Sequence, residues 1–425
     1  MSHSSATTAS PSEETTAPGW LDRLARSAVH SRLSGLQRGH LTVIEGNERF
    51  MFGDPSANES HRATLTIHDP ACYRDIAFGG SIGAGEAYML KLWTCDDLTA
   101  VVRIFVANRD VLDGMDGSLA CITAPLHKLG HWLNGNTKSG SRRNIAAHYD
   151  LGNDFFSLVL DETMMYSCAV FERPDDALRD ASTVKNELIC RKLDLKPTDH
   201  LLEIGTGWGG FAIHAAARYG CHVTTTTISQ QQYQLAVQRI AEADLSDRIT
   251  VVLKDYRDLR ELGTQFDKIV SIEMIEAVGH AFFDAYFACC SELLKPNGRM
   301  LIQAITIDDR QYERATRSVD FIQRFIFPGS CIPSITALCQ SIARASELRV
   351  FGLEDIGAHY PPTLRGWKQR LFANATRLHE LGYSDTFIRM WEFYLCYCEG
   401  GFLEQTISNV QLVLTKPLAR PASHA

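Results

Sequence analysis

HLLEIGTGWGG, residues 200–210, opens on a short apolar run interrupted by one acid and closes on four glycines. Leu201-Leu202-Glu203-Ile204 reads as a buried strand running into a turn. Gly205, Gly207 and Gly209 let the next loop turn tightly and bring its backbone against a ligand, because no Cβ intervenes. The same grammar continues downstream. GGFAIHAAARYG (209–220) reads as a helix, HVTTTTIS (222–229) as a strand and QQQYQLAVQRIAEADL (230–245) as a helix. ITVVLKD (249–255), FDKIVSIEMI (266–275) and RMLIQAITI (299–307) read as further strands. Such alternation predicts an α/β domain with a doubly wound, mostly parallel sheet and ligands outside the carboxyl ends of its strands.

A bare G-x-G-x-G is compatible with a dinucleotide fold, a methyl-donor loop or a mere tight turn. Here Glu203 precedes the first glycine by two, as in the E/D-x-G-x-G loops that hold the amino-acid end of S-adenosylmethionine. The G-x-G-x-x-G dinucleotide fingerprint is absent. The next strand ends in Thr227-Ile228-Ser229-Gln230-Gln231-Gln232, without the acid that usually grips a ribose. A glutamine can donate to and accept from ribose hydroxyls instead. Lys254-Asp255-Tyr256-Arg257-Asp258 forms a candidate rim for the adenine.

The chain of 425 residues suits two domains. A net charge of -8 argues against a nucleic-acid partner, which requires a broad cationic face. Residues 1–18 are rich in Ser, Thr, Pro and Glu and read as a disordered tail without a secretion signal. No run approaches the roughly 20 apolar residues of a bilayer span, so the expected location is cytoplasmic with peripheral membrane contact. None of the 12 cysteines lies in a CxxC pair, so no metal site is expected.

Residues 19–118 read as a smaller α+β domain. Trp20–Leu36 has helical spacing with Arg23, Arg26 and Arg32 interspersed, either as a packed helix or as one lying on anionic lipid. HLTVIEG, RATLTIH and AVVRIFV look like its strands. Residues 119–147 read as a linker helix with a basic loop, 148–415 as the catalytic domain and 416–425 as a tail.

HYDLGNDFFSLVLDETMMYSCAVF (148–171), LLEIGTGWGG, TTISQQQ, KDYRDL, SIEMIEAVGH, FIFPGSCIPS, GAHYPPTLRGW and LCYCEGGF occur in that order. With them the chain strongly resembles the cyclopropane-fatty-acyl-phospholipid synthase and mycolic acid cyclopropane synthase family over nearly all of residues 145–410. GGSIGAGEAYMLKLW (79–93) resembles the additional N-terminal domain of the phospholipid-acting members. The resemblance implies a seven-stranded, methyltransferase-type, Rossmann-like sheet, a homodimer, and unsaturated phospholipid acyl chains as substrate. The methyl of S-adenosylmethionine would be added to a cis double bond and a cyclopropane ring closed. It places Tyr166, Ser167, the 201–209 loop (Leu201, Glu203, Gly205, Thr206, Gly207, Trp208, Gly209), Thr227, Ile228, Ser229, Gln232, Tyr256 and Arg257 around the cofactor. It also implies a bicarbonate ion held by Cys168, Glu276, Gln303, Ile305 and Tyr360, and it matches Cys398 to the family's designated active-site cysteine.

An isolated alkene is a weak nucleophile, so its π bond must be aligned with the sulfonium methyl and the ensuing carbocation stabilised. A weak base then removes a proton from the transferred methyl to close the ring. Glu276 is either that kind of group or an N-cap; Tyr360 is either a cation-facing ring or a core residue. Cys398 sits in an apolar helical stretch where packing is the default, without an activating base nearby in sequence. Cys168 contributes backbone rather than sulfur. Gln303 stands where the family has His; it can hydrogen-bond an anion but cannot become cationic. With weaker support for proton removal, a hydride shift would divert the cation to a methyl- or methylene-branched chain. Small-molecule methylation is the other alternative.

Overall fold

The computed structural model describes residues 19–109 and 152–420. The expected tail at 1–18 and the linker with its basic loop at 119–147 lie outside the described residues.

The chain begins with helix α1 (Trp20–Leu33), which buries Ala25, Val29 and Leu33 at four-residue spacing. Strands β1 (His40–Glu45) and β2 (Glu48–Gly53) form an antiparallel hairpin, and β3 (Arg62–Ile67) adds parallel to β1. Helix α2 (Ala71–Met89), kinked at Gly80, leads to β4 (Trp93–Cys95), giving a four-stranded sheet of order β2-β1-β3-β4. AVVRIFV, expected as a strand, is instead the body of helix α3 (Leu98–Ala107). The Asp97 side chain caps it by accepting from Ala100 N at 3.0 Å. Leu98, Ala100, Val101, Val102 and Ile104 are all buried. A short apolar run buried on several sides has no polar face from which its period can be read.

Helix α4 (Asn153–Val159) and helix α5 (Leu178–Leu193) precede the second sheet. That sheet comprises β5 (His200–Ile204), β6 (His222–Thr227), β7 (Ile249–Leu253), β8 (Phe266–Ile272), β9 (Leu294–Ile307), β10 (Arg349–Asp355) and β11 (Ile407–Thr415). Its order is β10-β11-β9-β8-β5-β6-β7, parallel except that β11 runs antiparallel to both neighbours. The expected doubly wound sheet is therefore present, with α6 (Gly210–Tyr219) and α7 (Gln230–Glu242) between its first strands. From β5 the chain winds outward to β6 and β7, then returns to β8 on the other side. The crevice between β5 and β8 is the topological switch point, where such sheets bind ligands.

Further helices follow: α8 (Phe283–Leu293), α9 (Asp309–Ala315), α10 (Ile335–Ala345), α11 (Tyr360–Ala373), α12 (Ala375–Glu380) and α13 (Asp385–Leu403). Helix α13 connects the two sheets' territories. Thr99 Oγ1 donates to Glu399 at 2.9 Å, Tyr88 OH to Glu392 at 2.6 Å and Arg103 Nε to Glu404 at 2.7 Å. A Cβ on Gly400 would lie 2.5 Å from Val102, so glycine permits α3 to seat directly on α13. Residues 394, 398 and 402, spaced by four, face the cavity described next.

Candidate active site

A cavity of about 280 Å³ opens at the switch point. Its first half is the loop after β5. Gly205, Gly207 and Gly209 have φ of +102°, +52° and +83°. A Cβ on Gly207 would meet nothing within 4 Å, so the missing side chain leaves room for a ligand against the backbone. Glu203 lines the same space and accepts from Thr225 Oγ1 at 2.6 Å, and that hydroxyl lies 2.7 Å from Thr206 Oγ1. Burial pushes the Glu203 carboxyl up to about 8, although Lys185 nearby opposes this. A cationic ammonium placed against it would favour the ionised form. Thr227 Oγ1 donates to Gln232 Oε1 at 2.8 Å, and the Ser229 side chain caps α7 through Gln232 N. Asp255 grips Arg257 through Nε at 2.7 Å and Nη2 at 2.6 Å. This combination of an open glycine cradle, a buried carboxylate and polar groups after β6 and β7 fits an S-adenosylmethionine-sized cofactor.

Tyr166, Ser167, Glu203, Gly205, Thr206, Gly207, Trp208, Thr227, Ile228, Gln232, Tyr256 and Arg257 all line the cavity, as do Glu276, Ile305, Tyr360 and Cys398. Leu201, Gly209, Ser229, Cys168 and Gln303 stand behind that lining. Leu201 packs in the sheet core, and Gly209 and Ser229 cap α6 and α7.

The second half holds an arrangement that the sequence reading missed. Glu273, which follows β8, carries a carboxylate gripped by four donors. Its Oε1 accepts from Cys168 N at 2.9 Å, Gln303 Nε2 at 2.8 Å and Asn409 Nδ2 at 2.6 Å, and Oε2 accepts from Tyr360 OH at 2.7 Å. Three of the residues expected to hold a bicarbonate ion thus hold a side-chain carboxylate. The backbone of Glu273 has φ +49°, a left-handed conformation that costs a non-glycine residue on the order of 1 kcal/mol. Its backbone N donates to Gln303 O at 2.8 Å in that conformation. An acid at the carboxyl end of a central parallel strand was the available signal, overlooked because Glu276 fits the family motif.

Glu276 Oε1 accepts from Ile305 N at 2.6 Å, while its Oε2 is buried without a partner among the described residues. Burial, reinforced by Glu273, raises the Glu276 carboxyl to about 8. Burial likewise holds the Tyr360 hydroxyl protonated, with Glu273 adding to the effect, so it can donate. The Cys168 thiol is driven well upward by burial; its role in the arrangement is through its N–H. The Cys398 thiol is also raised by burial, with Asp320 and Cys396 adding to it. Burial thus disfavours a thiolate at this position.

Beyond Glu273 the cavity becomes aromatic and aliphatic. Tyr166 stacks on Phe327 at 6.2 Å and its hydroxyl lies 3.0 Å from that of Tyr394, while Tyr360 stacks on Phe402 at 4.3 Å. The N-terminal domain supports this wall: a Cβ on Gly85 of α2 would come within 2.4 Å of Phe321, which packs at 4.5 Å on Phe393 of α13. An apolar chain can lie along these rings and present one bond to both the cofactor loop and the carboxylate.

Comparison with known proteins agrees with this geometry. The family described as mycolic acid cyclopropane synthetase matches residues 136–412. The chain is 37% identical over 414 residues to a tuberculostearic acid methyltransferase of Mycobacterium tuberculosis, covering 92% of each. It is 36% identical over 380 residues to the cyclopropane-fatty-acyl-phospholipid synthase of Escherichia coli, covering 87% of this chain and 92% of that one. The solved structure of a cyclopropane synthase from Mycobacterium tuberculosis aligns with a TM-score of 0.60 at 31% identity, over 65% of this chain and 98% of that one. The glycine loop, the switch-point cavity and these matches together make the chain a member of the cyclopropane-fatty-acyl-phospholipid and mycolic acid cyclopropane synthase family of S-adenosylmethionine-dependent methyltransferases.

Proposed function

We propose that this protein methylates the cis double bond of an unsaturated phospholipid acyl chain and closes a cyclopropane ring, with the Glu273 carboxylate as its built-in base. The observation that carries the reading is the four-donor grip on Glu273, inside a cavity that joins a cofactor loop to an apolar channel. Bound S-adenosylmethionine supplies an electrophilic methyl. Glu203 and the 205–209 loop seat its amino-acid end, Thr227 through Gln232 its ribose, and Tyr256 with Arg257 its adenine. Tyr166, Phe327 and Phe402 align the acyl chain.

As the π electrons form the new C–C bond, the C–S bond breaks and a carbocation remains on the neighbouring carbon. The Tyr360 ring and the Glu273 charge stabilise it in a water-poor pocket. Glu273 takes a proton from the transferred methyl, and the released C–H pair closes the ring. A bound bicarbonate is unnecessary on this reading, because Cys168 N, Gln303 and Tyr360 already hold a carboxylate. No helix among the described residues is long and apolar enough to cross a membrane. The acyl chain would be drawn from a membrane surface met peripherally.

A second reading is favoured by the match along 92% of both chains to a relative named for methyl transfer. A hydride shift would move the cation to the methyl-bearing carbon, and proton loss from that methyl to Glu273 would leave a methylene branch on an open chain. The test is incubation with methyl-13C S-adenosylmethionine and vesicles of cis-monounsaturated phospholipid, followed by NMR of the released chains. High-field cyclopropyl signals are expected. Vinylidene signals would transfer the assignment to branching, and no incorporation would overturn both.

A further inference from the structure

We infer that Lys192, outside the cavity, is a positioning residue for the reaction, acting on Glu273 through a relay of two buried amides; the inference rests on the role proposed for Glu273. Lys192 Nζ donates to Gln411 Oε1 at 2.5 Å, Gln411 Nε2 donates to Gln303 Oε1 at 3.0 Å, and Gln303 Nε2 donates to Glu273 Oε1 at 2.8 Å. Gln303 and Gln411 are directly opposed residues of β9 and β11, and both are buried. Every donor in the chain points the same way, from an ammonium at the protein's edge to a carboxylate in the site.

The ends of the relay dictate its middle. An ammonium is donor-only and an ionised carboxylate is acceptor-only, so each amide between them has a single orientation that satisfies every group. Without the ammonium, the Gln411 oxygen loses its donor and the amide gains freedom to turn. Gln303 Nε2 also donates to Cys168 O at 3.4 Å and so keeps its orientation, but its oxygen loses a fixed donor and its grip on Glu273 slackens. Buried chains of this kind also polarise one another in sequence. Lys192 pairs in addition with Glu354, which is largely exposed, and such a pair contributes little by itself. Cys168 N and Asn409 grip the same Glu273 oxygen independently of the relay, so its loss weakens the site without abolishing it.

The test uses the full chain in four forms: wild type, Lys192→Met, Lys192→Arg and Glu354→Ala. With glutamate labelled at its carboxyl carbon, the Glu273 resonance is identified by its loss in Glu273→Gln and is observable without any lipid. Lys192→Met should move that resonance and lower kcat about fivefold, the order of one lost hydrogen bond, with the KM for S-adenosylmethionine unchanged. Lys192→Arg should restore both, and Glu354→Ala should change neither. An unmoved resonance in Lys192→Met overturns the relay, as does an equal effect of Glu354→Ala. If the resonance moves while wild type yields no lipid product, the relay stands and the substrate reading fails. If lipid is turned over and the resonance stays, the relay fails alone.

Discussion

The two ends of the cavity are built on opposite plans. At the cofactor end the walls are largely backbone: three glycines at positive φ leave open space beside Gly207, and the groups flanking it come from consecutive strands within 201–257. At the reacting end four donors from separate places between Cys168 and Asn409, three side chains and the Cys168 N–H, converge on one carboxylate. A cofactor must enter and leave in each turnover, which an open cradle allows. A base must stand in one place as a short-lived cation forms, which four hydrogen bonds enforce.

This contrast predicts that substitutions will separate chemistry from binding. Glu273→Gln keeps the volume but removes the proposed base, and should cost kcat on the order of a thousandfold. Cofactor affinity, read by calorimetry, should stay within about threefold. Equal losses in both would erase the distinction. Gly207→Ala probes the other end: a Cβ would enter the ligand's space, and S-adenosylmethionine should bind about tenfold more weakly while kcat at saturation holds.

Smaller effects sharpen the picture. Glu276 has its folded value raised to about 8, so its contribution to stability is present in full below the ordinary carboxyl value. That contribution is lost as pH rises toward and through about 8. Melting temperature should therefore fall less between pH 6 and 9 in Glu276→Gln than in wild type. Cys398→Ala should lower kcat by less than about threefold, because a buried neutral thiol serves as wall. A loss of a hundredfold would make the sulfur chemical.

The cofactor end was legible because its physics is local. A strand, a glycine turn and a helix are consecutive in sequence, and each element carries its own signal from Leu201 to Tyr219. The reacting end was legible only in parts: Tyr360 and Gln303 stood out by motif, but nothing local indicates that Asn409, on β11, reaches the carboxylate of Glu273. That meeting is made by strand order, which brings β11 beside β9 and β9 beside β8. Helix α3 was misread for a related reason. Its Val101, Val102 and Ile104 have a strand-like composition, and its helical state is supported by the Asp97 cap and packing on α13.

Whether Glu273 takes the place of a free anion is read most directly from turnover against bicarbonate concentration in wild type and Glu273→Ala. The alanine variant leaves a carboxylate-sized space facing Cys168 N, Gln303, Asn409 and Tyr360. With the Glu273 carboxylate in that place, wild type should respond flatly and the low basal rate of the variant should rise with bicarbonate. A wild-type rate that depends on bicarbonate, or a variant as fast as wild type without it, would contradict that role for Glu273.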